Sequence, residues 1–324
     1  MKAIVQDRYG SADVLELREI PRPTIGDGEV LVRVHAAGLD PGVWHVMAGL
    51  PYLVRVMGYG LRGPRDRIRG TDVAGRVEAV GTNVTAFQPG DEVFGTCTGS
   101  FAEYASAHHE NLAPRPENLS LEQAAAVPVS ARTALHALRD KARVQPKQKI
   151  LITGAGGGVG TFAVQLARSF HAEVTAVCSS GKADHVLNAG AHHVIDYAHE
   201  DFTDGRRRYD VILDCAGRTP LSRLRRALTP RGTLVIVGGE GGGRWLGGFD
   251  RSILRAPLLS PFVGQRLLSV VPKQRRRDLL DLKDLSEGGA FTPVIDRTYP
   301  LSEVAEAVRY LRAGHVRGKV VITP

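Results

Sequence analysis

The sequence predicts an α/β protein in which a doubly wound parallel sheet is joined to a smaller, β-rich, barrel-like unit. Three observations carry that prediction. Between residues 150 and 237 short apolar runs alternate with helical stretches, the mark of a parallel sheet covered on both faces. The first third shows instead a period-two alternation of apolar and polar residues, broken by glycine and proline. A glycine-rich turn, residues 154–160, follows the first apolar run of the middle region.

A chain of 324 residues fits two domains better than one or four. Hydrophobic residues make up 43% and charged residues 23%, a globular balance that excludes a disordered chain. The 37 glycines have no triplet period, so they serve turns and sites rather than a collagen-like helix. Three cysteines, Cys97, Cys178 and Cys215, with no Cys-x-x-Cys pair, exclude a disulfide framework and a thiolate zinc site. They point to a reducing compartment, the cytoplasm. The N-terminus has no apolar signal core, and no apolar run approaches the roughly 18 residues of a membrane span.

The net charge of +8 is unevenly spread: residues 1–128 carry −4, residues 129–288 carry +10 and residues 289–324 carry +2. A middle segment that binds a phosphate-rich nucleotide accounts for this partition, as would a nucleic-acid groove.

In the first third, strands are expected at 30–35, 73–80 and 92–94, with a turn at Gln88–Pro89–Gly90–Asp91 between two of them. Alanine-rich helical segments follow from Leu121 and from Ala131, and the domain boundary is placed after residue 128. Strands are then expected at 150–153, 174–177, 193–195, 211–213 and 233–237, with a sixth at 267–271. A charged helix from about Gln274 closes at Gly288–Gly289. The tail reads as strand and turn over 291–299, a helix over 301–311 with Ser302 as its N-cap, and a strand at 319–322. The apolar stretch 258–271 is interrupted by Pro261, Gly264 and Arg266, so it reads as core or subunit contact rather than a membrane-associated helix.

The chemistry lies in Gly154–Ala155–Gly156–Gly157–Gly158–Val159–Gly160, between an expected strand and the helix from Thr161. Such a turn lets backbone N–H groups approach a pyrophosphate at the positive end of the helix dipole. The spacing is Ala155-x-Gly157-x-x-Gly160, with alanine where the dinucleotide fingerprint has its first glycine. No lysine follows Gly160, which excludes a nucleoside-triphosphate loop. At the end of the second strand no acid stands ready for a ribose 2′-hydroxyl; Ser179, Ser180 and Lys182 stand there instead. Hydroxyls and an ammonium suit a 2′-phosphate, so NADPH is the expected cofactor. The alternative for Lys182 is an exposed residue of the next helix.

Read together, several segments resemble the medium-chain dehydrogenase/reductase superfamily, in its zinc-free quinone oxidoreductase-like branch. They are Gly70–Thr71–Asp72–Val73–Ala74–Gly75, Val80–Gly81 with Pro89–Gly90–Asp91–Glu92–Val93, Gly99–Ser100–Phe101–Ala102–Glu103–Tyr104, Gly157–Gly158–Val159–Gly160, Ala189–Gly190–Ala191 and Gly318–Lys319–Val320–Val321–Ile322. The resemblance implies a GroES-like β-barrel catalytic domain (1–128, completed by 289–324), a Rossmann coenzyme domain (129–288), a cleft between them and a homodimer. In NADPH-using members a serine, a lysine and a later tyrosine grip the 2′-phosphate, and Ser180, Lys182 and Tyr197 match them. Thr133 matches a threonine near the nicotinamide. Gly238, after the fifth strand, and Lys319, in the terminal motif, are placed with the same cofactor set.

Zinc members carry a cysteine and a histidine where this chain has Asp40 and Thr71, and a four-cysteine loop it lacks, so the resemblance implies a metal-free protein. The pairs His108–His109 and His192–His193 point to opposite faces of a strand and do not chelate one ion. Without metal, the expected reaction is hydride transfer from NADPH to a quinone or an α,β-unsaturated carbonyl. Asp40 replaces an asparagine that many relatives direct at nicotinamide or substrate. It is a general acid if burial raises its pKa, or a turn residue before Pro41. Tyr52 matches an aromatic lining the cleft and is either a proton donor or a packing residue. Alcohol oxidation, enoyl-thioester reduction and carbonyl reduction are the enzymatic alternatives. The non-enzymatic alternative is an NADPH-gated nucleic-acid-binding or sensor protein, although the arginine runs at 206–208, 223–226 and 275–277 read by default as solvated helix faces.

Overall fold

The computed structural model describes residues 1–239, 243–271 and 274–324, with backbone alone at Ser252 and Ile253. The chain forms two compact units, Met1–Arg132 with Lys273–Pro324, and Thr133–Pro272. Among the described residues no helix is long and apolar enough to cross a membrane.

The first unit opens with a hairpin of β1 (Lys2–Val5) and β2 (Glu16–Glu19), followed by the long strand β3 (Glu29–Leu39). Along β3 the valines 30, 32 and 34 turn inward while Arg33 and His35 face solvent, as the alternation predicts. Helix α1 (Pro41–Ala48) starts at a proline, whose fixed φ suits a first turn. Strands β4 (Asp72–Val80), β5 (Glu92–Thr96), β6 (Tyr104–His108) and β7 (Leu112–Pro114) complete the first stretch. The expected turn at 88–91 lies between β4 and β5. Helix α2 (Leu121–Ala125) is started by a reciprocal capping box of Ser120 and Gln123, and α3 (Pro128–Leu135) carries the boundary between the units.

The second unit is a six-stranded, wholly parallel sheet of β8 (Lys149–Thr153), β9 (Glu173–Cys178), β10 (His193–Asp196), β11 (Tyr209–Asp214), β12 (Leu228–Ile236) and β13 (Arg266–Ser269). Its order is β10-β9-β8-β11-β12-β13, which reverses direction between β8 and β11. This is the dinucleotide-binding order, with its crevice at the carboxyl ends of the strands beside that reversal. Helix α4 (Gly158–Ser169) buries Phe162, Ala163, Val164, Leu166 and Ala167, and α5 (Ala183–Asn188) and α6 (Leu221–Arg226) make further crossovers.

The chain then forms α7 (Arg276–Glu287), β14 (Ile295–Pro300), α8 (Val304–Arg312) and β15 (Lys319–Thr323). Strand β15 inserts between β14 and β3, giving the order β14-β15-β3-β4-β5-β7, with β6 also paired to β3. Two expectations change here. Helix α7, expected in the coenzyme domain, groups with the first unit. Asn118 Nδ2 donates to Ser286 O at 2.9 Å, the Glu117 amide donates to Glu287 Oε1 at 2.8 Å, and Arg276 lies over the Phe87 ring. Ser302 is not an N-cap: Leu301–Glu303 is a 3-10 turn, and no side chain caps α8.

Candidate active site

The turn after β8 is built for close approach. Gly154 takes the left-handed conformation at φ 63°, so the positive φ falls one residue before Ala155 and the alanine is tolerated. The Ala155 amide donates to Val177 O at 3.2 Å, tying the turn to β9. A Cβ on Gly160 would stand 2.2 Å from Gly154 O, and one on Gly156 would stand 2.8 Å from Lys182 Cδ. Gly157 is the N-cap of α4 and no side chain caps that helix, so Gly158 and Val159 open it with the positive end of its dipole facing outward.

The other expected cofactor residues of this unit, Thr133 apart, follow the carboxyl ends of β9, β10 and β12. Ser179 follows β9, and its carbonyl accepts from the Lys182 amide at 2.9 Å, so Ser180 and Lys182 lie in a short 3-10 turn ahead of α5. The Lys182 side chain is half-buried and lies along Gly156, unlike the exposed helix residue of the alternative reading. Tyr197 is exposed beside them; its amide donates to Cys178 O at 3.3 Å. Asp196, the neighbouring acid, turns its Oδ1 to the Ala198 amide at 2.9 Å. Gly238 approaches the loop after β11 so closely that a Cβ would meet Cys215 O at 2.2 Å. Of the 239–262 loop, residues 240–242 lie outside the described ones. Thr133 is buried at the start of this unit. These residues fit a dinucleotide: a cradle only glycine fills, an uncapped helix N-terminus, and hydroxyls with an ammonium at the end of β9.

Sequence reasoning missed the buried network beneath this edge. Thr153 Oγ1 donates to Asp214 Oδ1 at 2.7 Å, Arg251 donates to Asp214 Oδ2 and to Gly217 O, and the Ala216 amide donates to Thr153 Oγ1 at 3.3 Å. The pair ties the ends of β8 and β11 to the segment after β12 and so fixes the rim of the crevice. Asp214 closing an apolar strand was the visible clue; Arg251 had none.

In the first unit, Asp40 directly precedes α1 but its side chain does not cap it. It accepts from Ser130 Oγ at 2.9 Å and from Lys319 Nζ, and Lys319 Nζ also lies 3.1 Å from Ser130 Oγ and 3.5 Å from Asp72 Oδ2. Lys319, expected with the cofactor set, therefore has its buried ammonium enclosed by Asp40, Asp72 and Ser130. Of the two readings of Asp40, the general acid with a raised pKa does not match its surroundings. Burial pushes its carboxyl up, but the Lys319 charge and the hydrogen bonds from Asp72, Lys319 and Ser130 outweigh burial and hold it below the usual carboxylate range. Tyr52 stands against Arg55, whose guanidinium lies 4.9 Å from its ring centre and 4.4 Å from that of Tyr9.

These residues do not fit a catalytic zinc. Asp40 is committed to an ammonium and Thr71 offers only a neutral hydroxyl. Among the described residues no three His, Cys, Asp or Glu side chains gather as a ligand set. Cys97 is half-buried, and desolvation with the Asp72 charge pushes its thiol well up, away from the thiolate a metal needs.

Comparison with known proteins gives two family matches: an alcohol dehydrogenase GroES-like domain over residues 26–117 and a zinc-binding dehydrogenase over residues 189–322. The chain is 31% identical to the human quinone oxidoreductase over 99% of its own length and 97% of that protein. It is 31% identical to tomato 2-methylene-furan-3-one reductase, covering all of this chain and 79% of the relative. A mycobacterial structure in complex with NADPH superposes with a TM-score of 0.85 at 25% identity, covering the whole of both chains.

Proposed function

Since this chain belongs to the medium-chain dehydrogenase/reductases of the quinone oxidoreductase-like kind, we propose that it reduces a quinone or an α,β-unsaturated carbonyl with NADPH and without zinc. The observation that carries the cofactor is the end of β9, where Ser179, Ser180 and the half-buried Lys182 stand in place of a carboxylate. A carboxylate there would repel a 2′-phosphate, whereas hydroxyls and an ammonium bind it with charge-assisted hydrogen bonds. The NADPH in the mycobacterial relative supports the same choice, and the human and tomato relatives support the two acceptor classes.

Residues 154–160 cradle the pyrophosphate on backbone N–H groups, with Ala155 to Gly160 supplying the approach. Ser180, Lys182 and Tyr197 hold the 2′-phosphate, Thr133 serves the nicotinamide end and Gly238 leaves room at the rim. Bound NADPH supplies the hydride. Asp40 sets the charge near the reacting oxygen, and Tyr52 provides an aromatic wall. The Lys319 ammonium keeps Asp40 ionised at rest, so the proton that completes the reduction starts elsewhere. Three cysteines without a disulfide suit a reducing cytoplasm, and the resemblance implies a homodimer.

The reading is tested by following the reduced-nicotinamide absorbance with a panel of quinones, enones and aldehydes in the presence of a chelator. NADPH oxidation with quinones or enones that survives chelation is the expected result. Activity that needs added zinc, or that runs with alcohols alone, refutes it.

A further inference from the structure

The positive charge of the middle region does not lie at the cofactor crevice. In the second unit all six strands run the same way, so one edge of the sheet holds their carboxyl ends and the opposite edge their amino ends. The segments that leave the carboxyl ends of β8 to β12 are 154–160, 179–184, 196–201, 214–219 and 237–239. They hold Lys182 and Arg218 against Asp184, Asp196, Glu200, Asp201 and Asp214, a net −3. The amino ends are the reverse. Residues 141–149, ahead of β8, hold four cations and no acid, and residues 225–232, at the start of β12, hold three arginines and no acid. Arg206–Arg207–Arg208, ahead of β11, stand between Asp204 and Asp210, while Arg266 opens β13 and Glu173 opens β9. The net is +8, most of the +10 that residues 129–288 carry.

These cations face water. All four of 141–149 are exposed, as are Arg206 to Arg208, Arg226, Arg231 and Arg266. Few of them are occupied: Arg206 lies 3.3 Å from Asp204, and Arg266 Nη2 donates to Lys141 O at 3.3 Å. Asp210 turns its Oδ2 to the Lys149 amide at 3.0 Å. Among the described residues no carboxylate pairs with the cations of 141–149, Arg208, Arg226 or Arg231. The 206–208 run, expected as a helix face, lies in the loop between β10 and β11. Strands β8, β11, β12 and β13 are neighbours, so at ~4.8 Å per strand their starts form a row about 15 Å long. Such a row repels itself until an anion covers it. A nucleic-acid duplex carries one phosphate per ~1.7 Å of its axis, and the row meets several of them at once.

We propose that this amino-end edge of the parallel sheet binds the phosphate backbone of duplex nucleic acid, DNA and RNA alike and without reading sequence, and that NADPH does not displace it. The cations form a line across strand starts, which matches a file of spaced phosphates. None of the large exposed apolar side chains lies in 141–149, 204–210 or 225–232, so the row has no anchor to sink into a lipid surface. Backbone recognition asks only for charge and N–H donors, which lysine and arginine supply as charge-assisted hydrogen bonds. Strand β8 is five residues long, so the row stands about 15 Å from the crevice, at ~3.3 Å per residue, and a dinucleotide seated there leaves it uncovered. The proposal does not rest on the reductase reading.

The test is fluorescence anisotropy of labelled mixed-sequence DNA and RNA duplexes, titrated with the full-length protein over a series of salt concentrations, with and without saturating NADPH. Both duplexes are expected to bind, with log K falling against log salt at a slope of about −4 or steeper, one phosphate for each of four strand starts. NADPH leaves the titration unchanged, and so does Lys182→Ala. The double variants Lys147→Ala/Lys149→Ala and Arg207→Ala/Arg208→Ala each make the slope shallower by about 2 and lower affinity at low salt at least ~10-fold. Both keep the wild-type rate of NADPH oxidation, which shows that they fold. No binding at low salt overturns the proposal, as does displacement by NADPH, which would put the polyanion in the crevice. Wild-type affinity in both double variants overturns the assignment to this edge. Binding of only one duplex type overturns recognition by backbone alone. Phosphatidylglycerol vesicles that bind as tightly as the duplexes, and lose the protein in the same variants, overturn nucleic acid as the partner.

Discussion

At the scale of single residues, sequence and structure divide by chain distance. Gly154 to Gly160 and Ser179 to Lys182 were legible because each is a short run whose chemistry is local. The contact of Lys319 with Asp72 joins residues 247 positions apart, and that of Arg251 with Asp214 joins residues 37 apart; neither leaves a pattern in the sequence. That is why Lys319 was expected beside the cofactor and Asp72 was given no role. Two predictions belong here. Arg251→Met leaves Asp214 as a buried, unbalanced carboxylate and is expected to cost about 3–5 kcal/mol, read by urea denaturation. The Asp40–Asp72 pair makes stability depend on pH from both sides. Asp40, with its folded pKa lowered, stabilises above the usual carboxylate range, and that contribution is lost as pH falls through its folded value. Asp72, with its folded pKa raised, stabilises fully below the usual range, and its contribution is lost as pH rises through its folded value. Denaturation of Asp72→Asn at a series of pH values is therefore expected to show a shallower decline between the ordinary carboxylate range and neutrality. An unchanged slope contradicts it.

Among the elements, the strands of the parallel sheet were legible within one or two residues at most ends, since apolar runs between helices admit few alternatives. Strand β12 extends back to Leu228, well before the apolar core that marked it. The side on which α7 packs was not legible: its apolar stripe states that it is covered, not by which unit. Contacts of Ser286 and Glu287 with Asn118 and Glu117 settle that, and they rest on tertiary structure alone. Helix α4 carries the element-scale prediction. Its Gly160 sits against Gly154 O, so Gly160→Ala must push the helix start away from β8. NADPH affinity in this variant is expected to fall at least ~10-fold, because the N–H groups that cradle the phosphates move with the helix. Retained affinity by fluorescence titration would show that the close approach is not needed for binding.

For the whole molecule, the charge partition and the change of texture near Leu121 announced two units, and the structure divides the chain at Arg132 and Thr133 and again near residue 272. The barrel-like unit is closed by the chain's last strand, β15, lying on β3; the strand-and-turn texture of the tail and the resemblance both pointed to this return, although the tail's strands name no partner. The central claim is a metal-free reductase whose choice of NADPH is made at the end of β9, and it is tested most directly by one comparison. The ratio of kcat/KM for NADPH over NADH, with one quinone or enone acceptor and chelator present, is measured for the wild type and for Lys182→Ala. The account predicts a ratio well above one that falls by about 10–100-fold in the variant, mainly through KM for NADPH, as loss of a charge-assisted contact implies. A wild type that prefers NADH, or a variant whose ratio is unchanged, would contradict it.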